Sequence, residues 1–447
     1  MKRSLNVLLS ITLFLIVLSF YVRLLLDCPL LPGIDGPYYA VQVSYIIKTG
    51  SLKYPDPPFA FYAMYLCALV CGDVFLAVKV TTSILTALSV IPLFFSIVYI
   101  TKSRVIATLS SVVYSLSFYV LRMMSDFMKN SIGMLWLNLG LLTLVMFMVH
   151  KLERRTFVIA YTISLFLTGI THILDFWTLI VYSVAITLLW FFIATDKRKS
   201  RFALKSVLTV QAGVLTTFFV CATLFTGGDI FKVLSLARDL IRFTPMVFSE
   251  FHVRFLLSPK ILVPMFITSL LILMCLITKV REVVLVMALS SIAMTIILNL
   301  SPLPPSWIMR LNLMSCIPLS IMVGTLVHIM AKSTRFVTAI FLTFLSLLPL
   351  TFIVDKFRPR PSIPPAAYGE LKRVILHMND EHTLWVVPDT RIRYWVETII
   401  DNVVRTPRAL PSYKCKVLFI ASKFPRGRPI RAKIVYDGMF FNVYRLR

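Results

Sequence analysis

Charged residues are scarce in this chain of 447 residues, and acidic residues are the scarcer kind. Only 15% of the residues are charged, with 20 Asp and Glu against 46 Lys and Arg. Hydrophobic residues make up 58% of the chain, and the mean hydropathy is +0.85. A soluble protein of this length could not bury so much apolar surface, so the composition excludes a soluble enzyme and predicts a membrane protein.

Cysteine patterns typical of metal sites are also missing. The seven cysteines show no spacing of a zinc or iron–sulfur site. Five of them lie in apolar runs and are expected to pack as small hydrophobic residues, namely Cys67, Cys71, Cys221, Cys275 and Cys316. Cys28 and Cys415 can meet water on one side, and no disulfide is predicted.

Apolar runs long enough to cross a bilayer recur from residue 5 to residue 354. We predict about eleven spanning helices, each near the ~20 residues needed to cross. They are Leu5–Leu26, Val74–Ile100, Val105–Leu121, Ile132–Val149, Phe157–Ile173, Trp177–Ala194, Leu204–Phe225, Ile261–Ile277, Val283–Leu300, Ile308–Met330 and Phe336–Val354. A shorter helix, Phe59–Cys71, is expected only to dip into the interface.

The loops between these runs alternate in charge. One set is rich in Lys and Arg, including the run Lys197–Lys199, and should be cytoplasmic by the positive-inside rule. This rule also accounts for the net charge of +26 without a nucleic-acid partner. The other loops hold most of the acids. We therefore predict a multi-pass protein of the cell membrane with a cytoplasmic N-terminus and an extracytoplasmic C-terminal domain.

The chain changes character after the last apolar run. A proline-rich basic linker follows Val354, and the remaining segment holds no spanning run. We predict a membrane domain over residues 1–355 and a small extracytoplasmic α/β domain over residues 356–447. Its expected helices are Ala366–Met378 and Arg391–Ile400, and its expected strands are Thr383–Val387, Val417–Ser422, Ala432–Tyr436 and Phe440–Tyr444.

Three acidic residues are candidate functional carboxylates, and each lies in a different predicted outer loop: Asp35, Asp126 and Glu250. Each has a structural alternative. Asp35 can cap the helix that follows it, and Asp126 can form a surface ion network at helical spacing with Arg122 and Lys129. Glu250 can belong to a turn after an interfacial helix, Ile230–Phe243. If they converge, three carboxylates suit a hard divalent cation, Mn²⁺ or Mg²⁺.

Two histidines are further candidate metal ligands. His252 lies two residues after Glu250, and His172 stands three residues before Asp175 at a helix end. A single histidine at such a place is more often structural than a ligand.

Arg310 stands at the mouth of an otherwise apolar helix, after the segment "SPLPPSW". Arginine binds phosphate through two parallel hydrogen bonds, which suggests a phosphate site. The alternative is an arginine that only reaches the membrane surface.

In their order along the topology, these residues resemble the GT-C superfamily of membrane glycosyltransferases, and within it the catalytic subunit of oligosaccharyltransferase. Asp35–Tyr38 is similar to the acidic motif of the first outer loop, Asp126 to the acid of the second, and Glu250 to that of a later loop. Arg310, followed by Pro318, resembles the arginine for the lipid phosphate. The "YPDPP" segment, Tyr54–Pro58, resembles a Y-P-P-L-like turn.

The sequence also departs from that family. The W-W-D-Y-G motif for the acceptor is absent, and the stretch "IRYWVETII" echoes it only through Tyr394, Trp395 and Glu397. Met128 stands where a second acid would follow Asp126.

The resemblance implies a GT-C-like helical membrane fold and transfer of a sugar or oligosaccharide from a polyprenyl-(pyro)phosphate donor. It implies that Asp35, Asp126 and Glu250 are catalytic and bind the metal. It further implies that the substrate-binding residues are Arg310, Tyr38, Arg122 and Tyr54. The alternatives are a transporter or flippase for a lipid-linked or anionic substrate, and a non-catalytic assembly protein of the same fold. No internal repeat supports a transporter.

Overall fold

The computed structural model describes residues 2–225, 258–278, 280–299, 305–331, 358–380, 383–401, 403–404, 416–422 and 433–445. Within these residues, seven helices are long and apolar enough to cross a membrane, and an eighth span is present if one bent pair of helices counts as one. The described chain thus has the architecture of a multi-pass membrane protein. The predicted helices Phe336–Val354 and Ile230–Phe243 lie outside the described residues, so the total of about eleven spans stays a prediction.

Seventeen helices and five strands are described. The helices are α1 (Lys2–Leu26), α2 (Gly36–Thr49), α3 (Phe59–Cys71), α4 (Val74–Leu88), α5 (Val90–Thr101), α6 (Arg104–Leu116), α7 (Phe118–Asp126), α8 (Met128–Met148), α9 (Arg154–Thr171), α10 (Ile173–Ile193), α11 (Lys197–Phe225), α12 (Pro259–Ile277), α13 (Glu282–Asn299), α14 (Pro305–Leu313), α15 (Cys316–Ala331), α16 (Pro365–Met378) and α17 (Thr390–Glu397). The strands are β1 (Thr383–Val386), β2 (Val403–Val404), β3 (Lys416–Ser422), β4 (Lys433–Asp437) and β5 (Phe441–Arg445).

One predicted span, Val105–Leu121, is a pair of helices bent by 42°. The break falls at Ser117, whose backbone is extended and whose hydroxyl accepts a hydrogen bond from the amide of Val120. A serine in this conformation caps a new helix, so α6 ends and α7 begins there. The break gives α7 its own direction and ends it at Asp126.

The chain forms two compact units. The first comprises Met1–Val22, Pro55–Ala60 and Thr82–Arg358, and the second comprises Arg23–Tyr54, Phe61–Thr81 and Pro359–Arg447. The C-terminal segment therefore packs in one unit with residues of the first loop. The predicted division into domains 1–355 and 356–447 stays a prediction.

Helix α15 lies at the centre of the first unit. Its residues 316–327 are all buried within the protein, and α15 packs against α6, α12 and α13. A side-chain network of Asn299, Asn312 and Ser315 ties α13 to the break between α14 and α15: Asn312 donates to Asn299 over 2.6 Å, and Asn299 donates to Ser315 over 3.0 Å. Such bonds between apolar helices fix their register because few other polar partners are at hand.

The second unit combines α2, α3 and a five-stranded sheet in the order β2-β1-β3-β5-β4. Strand β1 pairs in parallel with β2 and β3, whereas β5 is antiparallel to β3 and β4. The sheet buries Trp385 and packs near helix α17, whose Trp395 is also fully buried. The predicted helices and strands of this segment are all present, and only the two-residue strand β2 was not predicted.

Candidate functional site

Asp35 stands at the start of α2, at the position of a helix cap. Its side chain makes no capping hydrogen bond to the helix, so the simple capping explanation for this residue is wrong. Gly36 is packed so closely that a Cβ there would lie 2.9 Å from the Cβ of Leu31. Helix α2 thus begins directly after a closely packed turn. The Asp35 carboxylate lies within electrostatic range of Tyr394 in the same unit.

Gln42 of α2 positions the segment that holds Tyr54. Its side-chain oxygen accepts hydrogen bonds from the amides of Lys53 and Tyr54, over 2.9 and 3.1 Å. Its amide nitrogen donates to the carbonyl of Tyr54 over 2.8 Å and to the hydroxyl of Tyr38 over 2.9 Å. One buried glutamine therefore holds both predicted substrate-binding tyrosines of this unit.

Three tyrosines from separate segments meet in the second unit. The ring of Tyr38 lies 6.0 Å from that of Tyr54 and 5.1 Å from that of Tyr394 on α17. Burial raises the pKa of the Tyr394 phenol, and the Asp35 carboxylate adds to this effect. The cluster is half-exposed and consists of aromatic faces beside one carboxylate.

Two of the three motif-like residues in the stretch "IRYWVETII", Trp395 and Glu397, have structural roles. The indole of Trp395 is fully buried and donates to the hydroxyl of Ser362 over 2.8 Å. The side chain of Glu397 is also buried, and it accepts hydrogen bonds from Tyr54. Trp395 and Glu397 are therefore buried and satisfied, and Tyr394 is the one of the three that is partly exposed.

In the first unit, Asp126 is the last residue of α7. Its carboxylate pairs with Arg122 one turn earlier, at 2.5 Å, as predicted from their spacing. Helical geometry does not continue to Lys129, because Phe127 breaks the helix with φ −131° and ψ 58°. Buried Lys129 pairs with Asp56 of the "YPDPP" segment.

Arg310 lies on α14 beside this break. Its guanidinium is 5.5 Å from the ring centre of Phe127 and 5.7 Å from that of Trp307. The side chain is exposed, and no carboxylate among the described residues pairs with it. The first unit therefore brings Arg310 next to the chain segment that carries Asp126.

His172 and Asp175 lie at the junction of α9 and α10. The Nδ1 atom of His172 is 3.5 Å from a carboxylate oxygen of Asp175, and neither group has a hydrogen-bond partner among the described residues. Asp175 is fully buried against Gly133 of α8, where a Cβ would come within 1.9 Å of its oxygen. Lys129 and Arg310 are within electrostatic range of the imidazole.

The described residues do not by themselves supply a metal site. No group of three or more His, Cys, Asp or Glu side chains among them is placed to hold an ion. Asp35 and Asp126 belong to different units, and the Asp126 carboxylate already accepts from Arg122. Glu250 and His252 lie outside the described residues. Metal binding by Asp35, Asp126, Glu250, His252 or His172 therefore stays a prediction.

Several notable side chains were not singled out from the sequence. The proline turn "YPDPP" signalled a rigid loop, but nothing in it indicates that Asp56 would pair with Lys129. Likewise, nothing in the sequence around Gly133 indicates that this glycine packs against Asp175. These pairings depend on helix packing between distant segments, which no local pattern encodes.

No protein-family model and no curated protein matches the chain. Solved structures do match. ArnT from Cupriavidus metallidurans bound to undecaprenyl phosphate aligns with a TM-score of 0.57 and 12% identity over 98% of this chain and 97% of that one. ArnT in the apo state aligns with a TM-score of 0.58 and 12% identity over 100% of this chain and 98% of that one.

The archaeal oligosaccharyltransferase AglB from Archaeoglobus fulgidus, in complex with an inhibitory peptide and a dolichol-phosphate, also matches. It aligns with a TM-score of 0.62 and 11% identity over 91% of this chain and 65% of that one. At such identities the likeness concerns the fold. It shows that the chain has the same overall fold as ArnT and AglB, in agreement with the helical membrane fold that the resemblance implies.

Proposed function

We propose that the protein is a membrane glycosyltransferase that moves a sugar or oligosaccharide from a polyprenyl-phosphate or polyprenyl-pyrophosphate donor to an acceptor on the extracytoplasmic face. The proposal is supported by the fold, since solved proteins with this fold include ArnT with undecaprenyl phosphate and AglB with a dolichol-phosphate. The observation that carries it is the environment of Arg310.

An exposed guanidinium that has no acidic partner among the described residues is available to bind an anion. The two aromatic rings beside Arg310 hold its plane without using its N–H donors. Five such donors in a planar fork match a phosphate group, and charge-assisted bonds of this kind are the stronger ones. Arg310 is thus suited to bind the donor phosphate and to stabilise its charge as the sugar leaves.

The remaining roles follow from the reaction. The acceptor nucleophile attacks the anomeric carbon of the donor sugar, and the bond from that carbon to the phosphate oxygen breaks. We assign orientation of the nucleophile to Asp35, with Tyr38 and Tyr54 beside the acceptor in the second unit. Asp126, held by Arg122, and Glu250 complete the set of catalytic carboxylates. These carboxylates would hold a divalent Mn²⁺ or Mg²⁺, which would supply charge stabilisation to the leaving phosphate.

The test compares donor binding by the wild type, Arg310→Lys and Arg310→Ala in detergent, with a purified polyprenyl-phosphate sugar as ligand. Charge-assisted contacts contribute roughly 1.5–3 kcal/mol, so we expect affinity to fall about tenfold to a hundredfold in both variants. Lysine keeps the charge but loses the fork, which separates phosphate binding from simple attraction. Arg391→Lys, in an exposed pair with Asp389, is the matched control and should bind like the wild type.

Equal affinity in all variants, with unchanged thermal stability, would show that Arg310 is only an interface anchor. Consumption of the lipid-linked sugar by purified protein, with and without added divalent metal, then tests the activity itself. Failure to consume any of a panel of lipid-linked sugars would favour the non-catalytic or transporter alternatives.

A further inference from the structure

Helix α3 carries two thiols in direct contact. The Sγ atoms of Cys67 and Cys71 are 3.6 Å apart, and neither cysteine is fully buried. They stand one helical turn apart in an apolar run, where the sequence alone predicts only that they pack as small hydrophobic residues. We propose that Cys67 and Cys71 form a reversible disulfide within α3, so that this helix is a site of thiol–disulfide modification. The proposal does not depend on the proposed function.

The backbone of α3 meets one geometric requirement of such a bond, and its last turn must open to meet the other. In an α-helix, Cα atoms four residues apart are separated by about 6.2 Å, which follows from the rise and radius of the helix. Disulfides accept Cα separations of roughly 4.4–6.8 Å, but their Cβ atoms lie about 3.5–4.5 Å apart, closer than the about 5–6 Å between residues four apart on a helix. The sulfur atoms must therefore approach from 3.6 Å to about 2.05 Å through side-chain rotation together with opening of the last turn of α3.

The end of α3 permits that shift. The helix stops at Cys71, and Gly72 follows with φ +69°, a left-handed conformation that ends a helix. The next helix begins independently, because the carboxylate of Asp73 accepts from the amide of Leu76 over 2.6 Å. The turn that holds Cys71 is therefore terminal, and its adjustment does not propagate into α4.

No other part of the described protein covers this face of α3, where 61% of Leu66, 59% of Leu69 and 86% of Val70 are accessible. The predicted position of α3 at the interface would bring its end within reach of reagents in water. The hydrogen bond with Cys67 raises the pKa of the Cys71 thiol. The topology predicted from charge also puts α3 in the extracytoplasmic half of the chain, where disulfides form and persist.

The reaction balances with an external disulfide as oxidant. The thiolate of Cys67 attacks one sulfur of the reagent, its disulfide bond breaks, and one thiolate leaves. Cys71 then loses its proton and attacks the Cys67 sulfur, which expels the second thiolate. The two cysteines are oxidised by two electrons in all, and the reagent is reduced to two thiols.

The experiment uses the full chain, purified in detergent and treated with oxidised glutathione. The tryptic peptide Tyr54–Lys79 contains both cysteines and no other. We expect this peptide to lose two hydrogens, to carry no glutathione, and to regain two alkylatable thiols after dithiothreitol. In Cys71→Ser the second step is impossible, so the peptide should retain one glutathione on Cys67.

Cys275 of α12 is the internal control, because it is half-exposed and no described cysteine lies beside it. It should take at most a glutathione adduct, and it should form no disulfide with another cysteine. Glutathione on both Cys67 and Cys71, or a disulfide from either to another peptide, would overturn the proposal. So would full alkylation of both thiols after treatment.

Discussion

The hydroxyl of Tyr54 donates to both carboxylate oxygens of Glu397, over 2.9 and 2.8 Å, although the two residues stand 343 positions apart. The Glu397 side chain is fully buried and also meets Lys53 at 3.3 Å and Arg393 at 3.4 Å. A buried carboxylate is costly unless its oxygens are satisfied. This contact therefore ties the first loop to helix α17 within the second unit.

We expect Tyr54→Phe to lower the free energy of unfolding by about 1.5–3 kcal/mol, because it removes a hydrogen bond to a buried charged group. The matched control is Tyr62→Phe, whose lost bond to the carbonyl of Gly50 is exposed. That variant should change stability by less than about 0.5 kcal/mol. Chemical or thermal unfolding in detergent measures both, and equal losses would contradict the role of Glu397.

The same contact predicts a dependence on alkaline pH. Burial raises the pKa of Tyr54 above its usual value, and the hydrogen bond to Glu397 raises it further. The folded state thus holds the proton more tightly than the unfolded state, which releases it near about pH 10. The stability that Tyr54 contributes is complete below that pH and is lost as the pH rises towards the folded-state pKa.

This dependence is measured as the stability difference between the wild type and Tyr54→Phe from about pH 8 to about pH 11. We expect a constant difference up to about pH 10 and a smaller one above it. A difference that grows with alkaline pH would reverse the sign and refute the assignment.

The helices could be predicted from the sequence because an apolar run near ~20 residues has few other stable forms in a membrane. The predicted span Ile132–Val149, for example, is found as α8, Met128–Met148. The bend at Ser117 could not be predicted in this way. Serine is tolerated within helices, and only the local backbone decides whether it begins a new one.

The candidate site could be predicted only residue by residue. Asp126 and Arg310 were singled out as charges at helix ends: Asp126 ends α7, whereas Arg310 lies in the last turn of α14 and not at the start of a long helix, against Phe127, the neighbour of Asp126. The partner of Lys129 was not found, since an interruption of one residue at Phe127 removes the helical spacing on which that inference depended. Spacing rules fail wherever a helix breaks.

The predicted orientation can be tested with two single cysteines at exposed positions, Lys372→Cys on α16 and Arg201→Cys on α11. The basic loops predict that Lys372 lies outside and Arg201 in the cytoplasm. A membrane-impermeant maleimide added to intact cells should label the first variant above the wild-type background and leave the second at that background. Labelling of Arg201→Cys alone would move every predicted acid to the cytoplasmic face.

The contact between Gly133 and Asp175 gives the last prediction. An alanine at position 133 would bring its Cβ within 1.9 Å of a carboxylate oxygen and 2.8 Å of the carboxyl carbon, so the Asp175 side chain must move away from α8. Overpacking of this kind typically costs about 1–3 kcal/mol. Gly213→Ala on α11, where no atom lies within 4 Å, should instead be neutral or stabilising by up to about 1 kcal/mol. If the clash is the cause, adding Asp175→Ala should restore most of the stability lost in Gly133→Ala. Additive losses in a double-mutant cycle would show that the two side chains do not interact.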